Sequence, residues 1–170
     1  RRRSKENLIP KALNHISNIK IELYKPEYAD DFARLNKAWI QYYFDIEPTD
    51  IIMLGNPQKN IIDSGGQIFF AIDEAGIVVG CCALVYHTKL NDYELAKMAV
   101  APSSQGRGIG NLLCNALIIY SVKHNIHHIY LEGNTTLEAS IALYQKNGFF
   151  EAFNQTSKYK RCDIVMELLL

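Results

Sequence analysis

The sequence predicts one α/β domain built on a mixed β-sheet. Apolar residues change between period two and period 3.6 along the chain, so strands and helices are interleaved. One strand, Tyr93 to Val100, runs through a glycine-rich turn straight into a helix, and a strand following such a helix packs parallel to the first. The chain has 170 residues, 48% of them hydrophobic, enough for a sizeable core without metal or disulfide staples.

Residues 1–17 are polar and expected to be disordered, which leaves 18–170 as the folded domain. Ile19 to Tyr24 alternates and forms a first strand, stopped by Pro26. Between Glu27 and Phe44, the residues Phe32, Leu35, Trp39 and Tyr43 fall on one helical face. Pro48 ends that segment, and Thr49 or Asp50 caps a short second helix through Leu54. Asn56-Pro57 opens another short segment and Gly65-Gly66 a turn. Gln67–Ile72 and Gly76–His87 then read as a hairpin around Asp73-Glu74-Ala75-Gly76. The strand Tyr93–Val100 leads to a helix over Asn111–Lys123, with Asn125 at its C-terminal cap. Ile126–Leu131 is the parallel strand after it. A helix over Leu137–Lys146 and two strands, Gly148–Phe153 and Cys162–Leu169, complete the order. Thr135 and Glu138 have capping-box spacing.

Composition excludes several classes. A net charge of zero and a pI near 7.1 argue against a nucleic-acid-binding role. The one basic block, Arg1-Arg2-Arg3, is kept out of the fold. No apolar run approaches the roughly 18 residues of a membrane span. Cys81, Cys82, Cys114 and Cys162 lack C-x-x-C spacing and read as reduced thiols of a cytoplasmic protein. The five histidines show no metal-ligand spacing, so no metal is expected; His124, His127 and His128 read as surface residues near a helix end.

Chemistry concentrates in Gln105-Gly106-Arg107-Gly108-Ile109-Gly110. Three glycines in five residues let backbone amides crowd around an anion. The helix end that follows adds unpaired donors and partial positive charge, and Arg107 a full one. Such a cradle suits the pyrophosphate of a nucleotide-bearing ligand. The dinucleotide fingerprint G-x-G-x-x-G fails, because its last glycine would fall on Asn111 or Leu113, and the triphosphate loop fails for want of a lysine after Gly110.

What remains is Q-x-x-G-x-G, which resembles the coenzyme A loop of the GNAT family of N-acetyltransferases. Three further segments are similar to that family in the same order: Lys97-Met98-Ala99-Val100 at the end of its fourth strand, Leu131-Glu132-Gly133-Asn134 at the end of its fifth, and Leu143-Tyr144-Gln145-Lys146-Asn147-Gly148-Phe149 on the helix that carries its general acid. The resemblance covers roughly residues 19–170. It implies the family's mixed sheet, splayed between the fourth and fifth strands, and acetyl-CoA as acyl donor. Pantetheine would lie along Met98, Ala99 and Val100, and pyrophosphate on Gln105 to Gly110. Asn134 would supply an amide in place of the asparagine that many members carry seven residues before the tyrosine, where this chain has Leu137.

The resemblance also implies transfer of an acetyl group to a primary amine by direct attack through a tetrahedral intermediate. A backbone amide at Met98 or a neighbour would hold the oxyanion, Tyr144 would protonate the leaving thiolate, and Glu94, with Glu132 as rival, would take a proton from the amine. On an ideal strand Glu94 shares a face with Ala96 and Met98. The acceptor is expected between the first helices and the hairpin strands, near Trp39, Tyr42, Tyr43, Glu47, Tyr159 and Arg161. Aromatic groups with an acid suit a small cationic amine, and Arg161 a substrate carboxylate. Protein-lysine or N-terminal acetylation, and a non-catalytic acyl-CoA sensor, are the other readings. No nucleic acid or membrane partner is expected, and a homodimer is compatible with the resemblance.

Overall fold

The computed structural model describes residues 18–153, 157 and 159–170; the expectation for residues 1–17 lies outside them. The strands are β1 (Lys20–Leu23), β2 (Gln67–Ile72), β3 (Val78–His87), β4 (Asp92–Val100), β5 (His128–Gly133), β6 (Phe150–Glu151) and β7 (Ile164–Leu169). The α-helices are α1 (Ala29–Tyr43), α2 (Pro48–Gly55), α3 (Ile109–Lys123) and α4 (Glu138–Lys146). They form one seven-stranded sheet in the order β1-β2-β3-β4-β5-β7-β6. β4 and β5 are the parallel pair, as the crossover through α3 requires; the other neighbours run antiparallel.

Apolar residues on both sheet faces divide the core in two. Leu95, Ile129, Leu131, Met166 and Leu168 pack with Ile109, Leu112, Leu113 and Leu117 of α3 and with Tyr144 of α4. Phe70, Cys81, Ala83, Val85 and Ala99 pack on the other face with Phe32, Leu35 and Ile40 of α1 and Leu54 of α2. Cys81 and Cys82 accordingly sit in different clusters. Among the described residues no helix is long and apolar enough to cross a membrane.

The hairpin turn forms as expected, because the Asp73 carboxylate accepts hydrogen bonds from the amides of Ala75 and Ile77 at 3.0 and 2.9 Å. Helix starts differ more. α2 begins at Pro48, with Glu47 as N-cap and Asp50 one turn inside; the Glu47 amide donates to Asp50 Oδ2 at 2.9 Å. Proline is at home at that first helical position. The Thr135–Glu138 box does not form: α4 is capped by Leu137, and Thr135 turns its amide and hydroxyl to the Asp163 carboxylate. α3 begins two residues earlier than the spacing predicts, because Gly108, at φ +77°, makes the N-cap itself. Strand β5 starts two residues later than expected, Ile126 having been taken into the turn after α3.

Two irregularities open the sheet where chemistry is expected. β4 and β5 pair only at Tyr93–Ile129 and Glu94–Tyr130. Beyond that point β4 stays with β3 and β5 with β7, so the two strands part like a V. On β4, Cys81 faces Ala99 while Ala83 faces Ala96, so Lys97 and Met98 together oppose Cys82 in a β-bulge. Lys97 takes a left-handed φ of +56°, uncommon without glycine. The bulge corrects the expected facing: Glu94, Ala96 and Ala99 point toward α1, whereas Met98 and Val100 pack on the α3 side.

Candidate active site

The V between β4 and β5 is a cleft lined on one side by Leu137, Ile141 and Tyr144 of the α4 segment. On the other it is lined by Trp39, Ile40 and Phe44 of the α1 end, with Tyr159 and Arg161 from the segment before β7. Glu94, Lys97, Met98, Glu132 and Asn134 reach it from the parted strands.

At the outer end of β4, the Gln105 side-chain amide donates to the Val100 carbonyl at 3.1 Å, folding the loop back on its strand. Gly106 and Gly108 both adopt left-handed φ, with nothing within 4 Å of where a Cβ would stand. Their glycine requirement is therefore conformational, and the space beside them is open to a ligand. Leu112 is the residue whose amide returns to the Gly108 carbonyl, which leaves the amides of Ile109, Gly110 and Asn111 at the open helix end. Arg107 is exposed. The Ile109 side chain is buried, so only its backbone faces the loop. Gly110 serves packing: a Cβ there would meet Leu143 Cδ2 at 3.2 Å. An open, amide-lined turn at the mouth of the V fits a pyrophosphate whose thioester arm enters the cleft.

Tyr144 is buried against Phe149, ring centroids 5.9 Å apart. Burial pushes its phenol up, with Cys114 and Cys82 adding to it, so it keeps its proton at neutral pH. Glu94 stands across the cleft, only 2% exposed. Its Oε2 lies 2.6 Å from His87 Nε2, and it accepts a hydrogen bond from Tyr130. Burial, then the carboxylates of Glu94 and Glu132, push the Tyr130 phenol up.

The Tyr159–Arg161 end of the cleft holds a buried ion cluster. Asp50, fully buried, receives Lys97 Nζ at 2.6 Å and both Arg161 nitrogens, at 2.7 and 2.8 Å. Arg161 also reaches Glu47 at 3.1 Å, and Tyr159 lies under both cations. Burial alone would raise the Asp50 pKa, but the hydrogen bonds from Arg161 and Lys97 outweigh it and hold the carboxyl well below its usual range. Burial pushes the Lys97 ammonium down, with Asp50 opposing. Asp50 holds both cations, so most of the Arg161 charge is already paired inside the protein. Of the charged side chains lining the cleft, two are acids, Glu94 and Glu132, and two are bases, Lys97 and Arg161, both bases paired with Asp50.

The structure thus brings Glu94, Met98, Asn134 and Tyr144 to one cleft, with Trp39, Tyr159 and Arg161 around it. Asn134 uses its amide on the Arg161 carbonyl and its oxygen on Thr136, fixing the turn after β5. Tyr42 and Tyr43 line a neighbouring cavity with Arg34 and Gln105. His128 is no plain surface residue: it bridges Asp92 at 2.9 Å and Glu167 at 3.1 Å across β4, β5 and β7. Asp50, Lys97, His87 and Tyr130 were not singled out by spacing. The one signal was Lys97, a charge inside an otherwise apolar stretch, Leu95 to Val100.

A mixed sheet opened between parallel strands, followed by a glycine turn at a helix start, with a buried phenol and a buried carboxylate lining the opening, has the layout of a group-transfer enzyme. Residues 21–149 match the Acetyltransferase (GNAT) family, and the chain belongs to that family of acetyltransferases. It is 31% identical over 136 residues to an uncharacterized N-acetyltransferase of Schizosaccharomyces pombe, covering 78% of this chain and 83% of the relative. A GNAT acetyltransferase of Staphylococcus aureus has the same fold, with TM-score 0.78 at 24% identity over 88% of this chain and 97% of that one. So has the yncA protein of Salmonella typhimurium, a structure containing acetyl-CoA, with TM-score 0.70 at 18% identity over 90% of this chain and 94% of that one.

Proposed function

We propose that this chain moves the acetyl group of acetyl-CoA to the primary amine of a small molecule by direct attack. The observation that carries the reading is convergence: the Met98 bulge, Tyr144 and Glu94 line one cleft, and the glycine turn follows the same strand, β4, outside it. The thioester supplies an activated carbonyl. Gln105 to Gly110 bind the pyrophosphate through backbone amides, and Met98, Ala99, Val100 and Asn134 flank the arm. The displaced backbone at Met98 offers an amide to the developing oxyanion. Glu94 takes a proton from the incoming nitrogen, and Tyr144 gives one to the departing sulfur.

The acceptor reading follows from charge and closure. Trp39 and Phe44 narrow the cleft, and the Asp50–Arg161 pairing ties α2 to the segment before β7. Two carboxylates beside aromatic rings, with both cations already paired to Asp50, favour a small cationic amine over an amino acid, whose carboxylate would compete with Asp50 for Arg161. The free thiols suit a reducing, cytoplasmic setting. Thiol release from acetyl-CoA, measured over a panel of diamines, amino acids and lysine peptides, tests the proposal. Diamines should be the best acceptors. Turnover confined to peptides would assign a protein substrate, and saturable acetyl-CoA binding without turnover a sensor.

A further inference from the structure

Resting on Glu94 as the base, we infer that His87 is a positioning residue that passes protons from Glu94 to solvent. Glu94 is 2% exposed, so it exchanges protons with water slowly unless a neighbour carries them. His87 sits at the end of β3, its side chain 26% exposed, with Nε2 2.6 Å from Glu94 Oε2. It joins that contact to partial exposure and to a ring that can accept a proton at one nitrogen and release one at the other. Tyr130 also bonds Glu94 and its ring lies 6.0 Å from that of His87, but its phenol is pushed up and cannot take the proton onward.

Proton balance gives the relay its purpose. An ammonium acceptor sheds one proton to become nucleophilic and a second as the amide forms. The N–C bond forms, the C–S bond breaks, and the sulfur takes one proton from Tyr144. Per turnover two protons leave nitrogen, one ends on sulfur and one is released once the phenol is restored. Glu94 has to unload between the two steps, and its contact with His87 offers it an exit away from Tyr144. The carboxyl passes its proton to Nε2, the imidazolium releases the Nδ1 proton to water, and exchange at that nitrogen restores the ring. The other charged or titratable groups around this pair are Asp92, opposite His87 on the ladder and engaged with His128; Lys97 and Tyr159, coupled to Glu94; and Glu132 beside Tyr130.

The test compares His87→Gln and His87→Ala with the wild type, using the best acceptor from the amine panel. Acetyl-CoA affinity by calorimetry and thermal stability should be unchanged for His87→Gln, while kcat falls about tenfold to a hundredfold. Added imidazole should restore most of the His87→Ala loss in proportion to its concentration, and raising the concentration of any small buffer should do so partly. Both effects should vanish in Glu94→Gln. A His87→Gln enzyme at full rate, or a loss that neither imidazole nor buffer relieves, overturns the relay. The acetyltransferase reading is judged separately, by wild-type turnover, so either can fail without the other.

Discussion

Tyr144 carries the most at the scale of single residues. Its ring is core, packed on Phe149, and the residue borders the cleft. Tyr144→Phe keeps the ring and removes the proton donor, so the fold should be retained. Turnover should fall roughly 10²–10⁴-fold with acetyl-CoA affinity unchanged, as steady-state rates and calorimetry would show. A rate near wild type would mean the thiolate leaves without this proton. Tyr144 was legible in the sequence because the residues around it form a contiguous pattern. Asp50 was not, because its neighbours in sequence explain it fully as a helix-start residue, and its partners Lys97 and Arg161 lie 47 and 111 positions away. Contacts of that span leave no local periodicity.

Elements place the site through close approaches that spacing only half reveals. α3 reaches the sheet at Gly80 on β3, where a Cβ would stand 3.0 Å from Ile109 Cγ2 and 3.2 Å from Leu113 Cδ1. Ile109 is the first residue of α3, so this contact sets the helix end whose amides would meet a pyrophosphate in the proposed complex. Gly80→Val should overpack this joint, costing about 1–3 kcal/mol in a denaturant melt, and should weaken acetyl-CoA binding although Gly80 lies outside the loop. Gly108→Ala acts differently, by forcing a side chain into left-handed φ. Equal acetyl-CoA affinity in Gly80→Val and wild type would detach the loop from this packing. The hairpin β2–β3, with its Asp73 turn, was read correctly from alternation; the β4 bulge was not. A bulge is a two-against-one mismatch with the partner strand, and one strand's sequence holds only half of it. That is why Met98 was expected beside Glu94 and lies on the other face.

For the whole molecule the question is what keeps a sheet parted along one seam from collapsing or gaping. Below the parting, Glu94–Tyr130 pairing and the His128 bridge hold β4, β5 and β7 together. Above it, Asp50 joins α2 to the β4 bulge through Lys97 and to the segment before β7 through Arg161. Replacing Asp50 by Asn leaves Lys97 without its counter-charge and Arg161 with Glu47 alone, which should cost about 3–5 kcal/mol and raise KM for the amine, with acetyl-CoA affinity altered little. The pH dependence has a definite sign. The folded pKa of Asp50 lies below its unfolded value near 3.9, so its contribution is complete above that value and is lost as pH falls toward the folded pKa. Denaturant melts of the wild type should weaken on acidification below about pH 4, and Asp50→Asn should flatten that part of the curve. Lys97 acts at the other extreme: its folded pKa is lowered, so the unfolded chain binds more protons in the alkaline window and stability rises with pH there. Without Asp50 to oppose burial, Lys97 should lose its proton still more readily, and the rise should begin at lower pH. An acid limb identical in wild type and Asp50→Asn would show that other carboxylates govern it, and an unchanged amine KM would confine the cluster to stability.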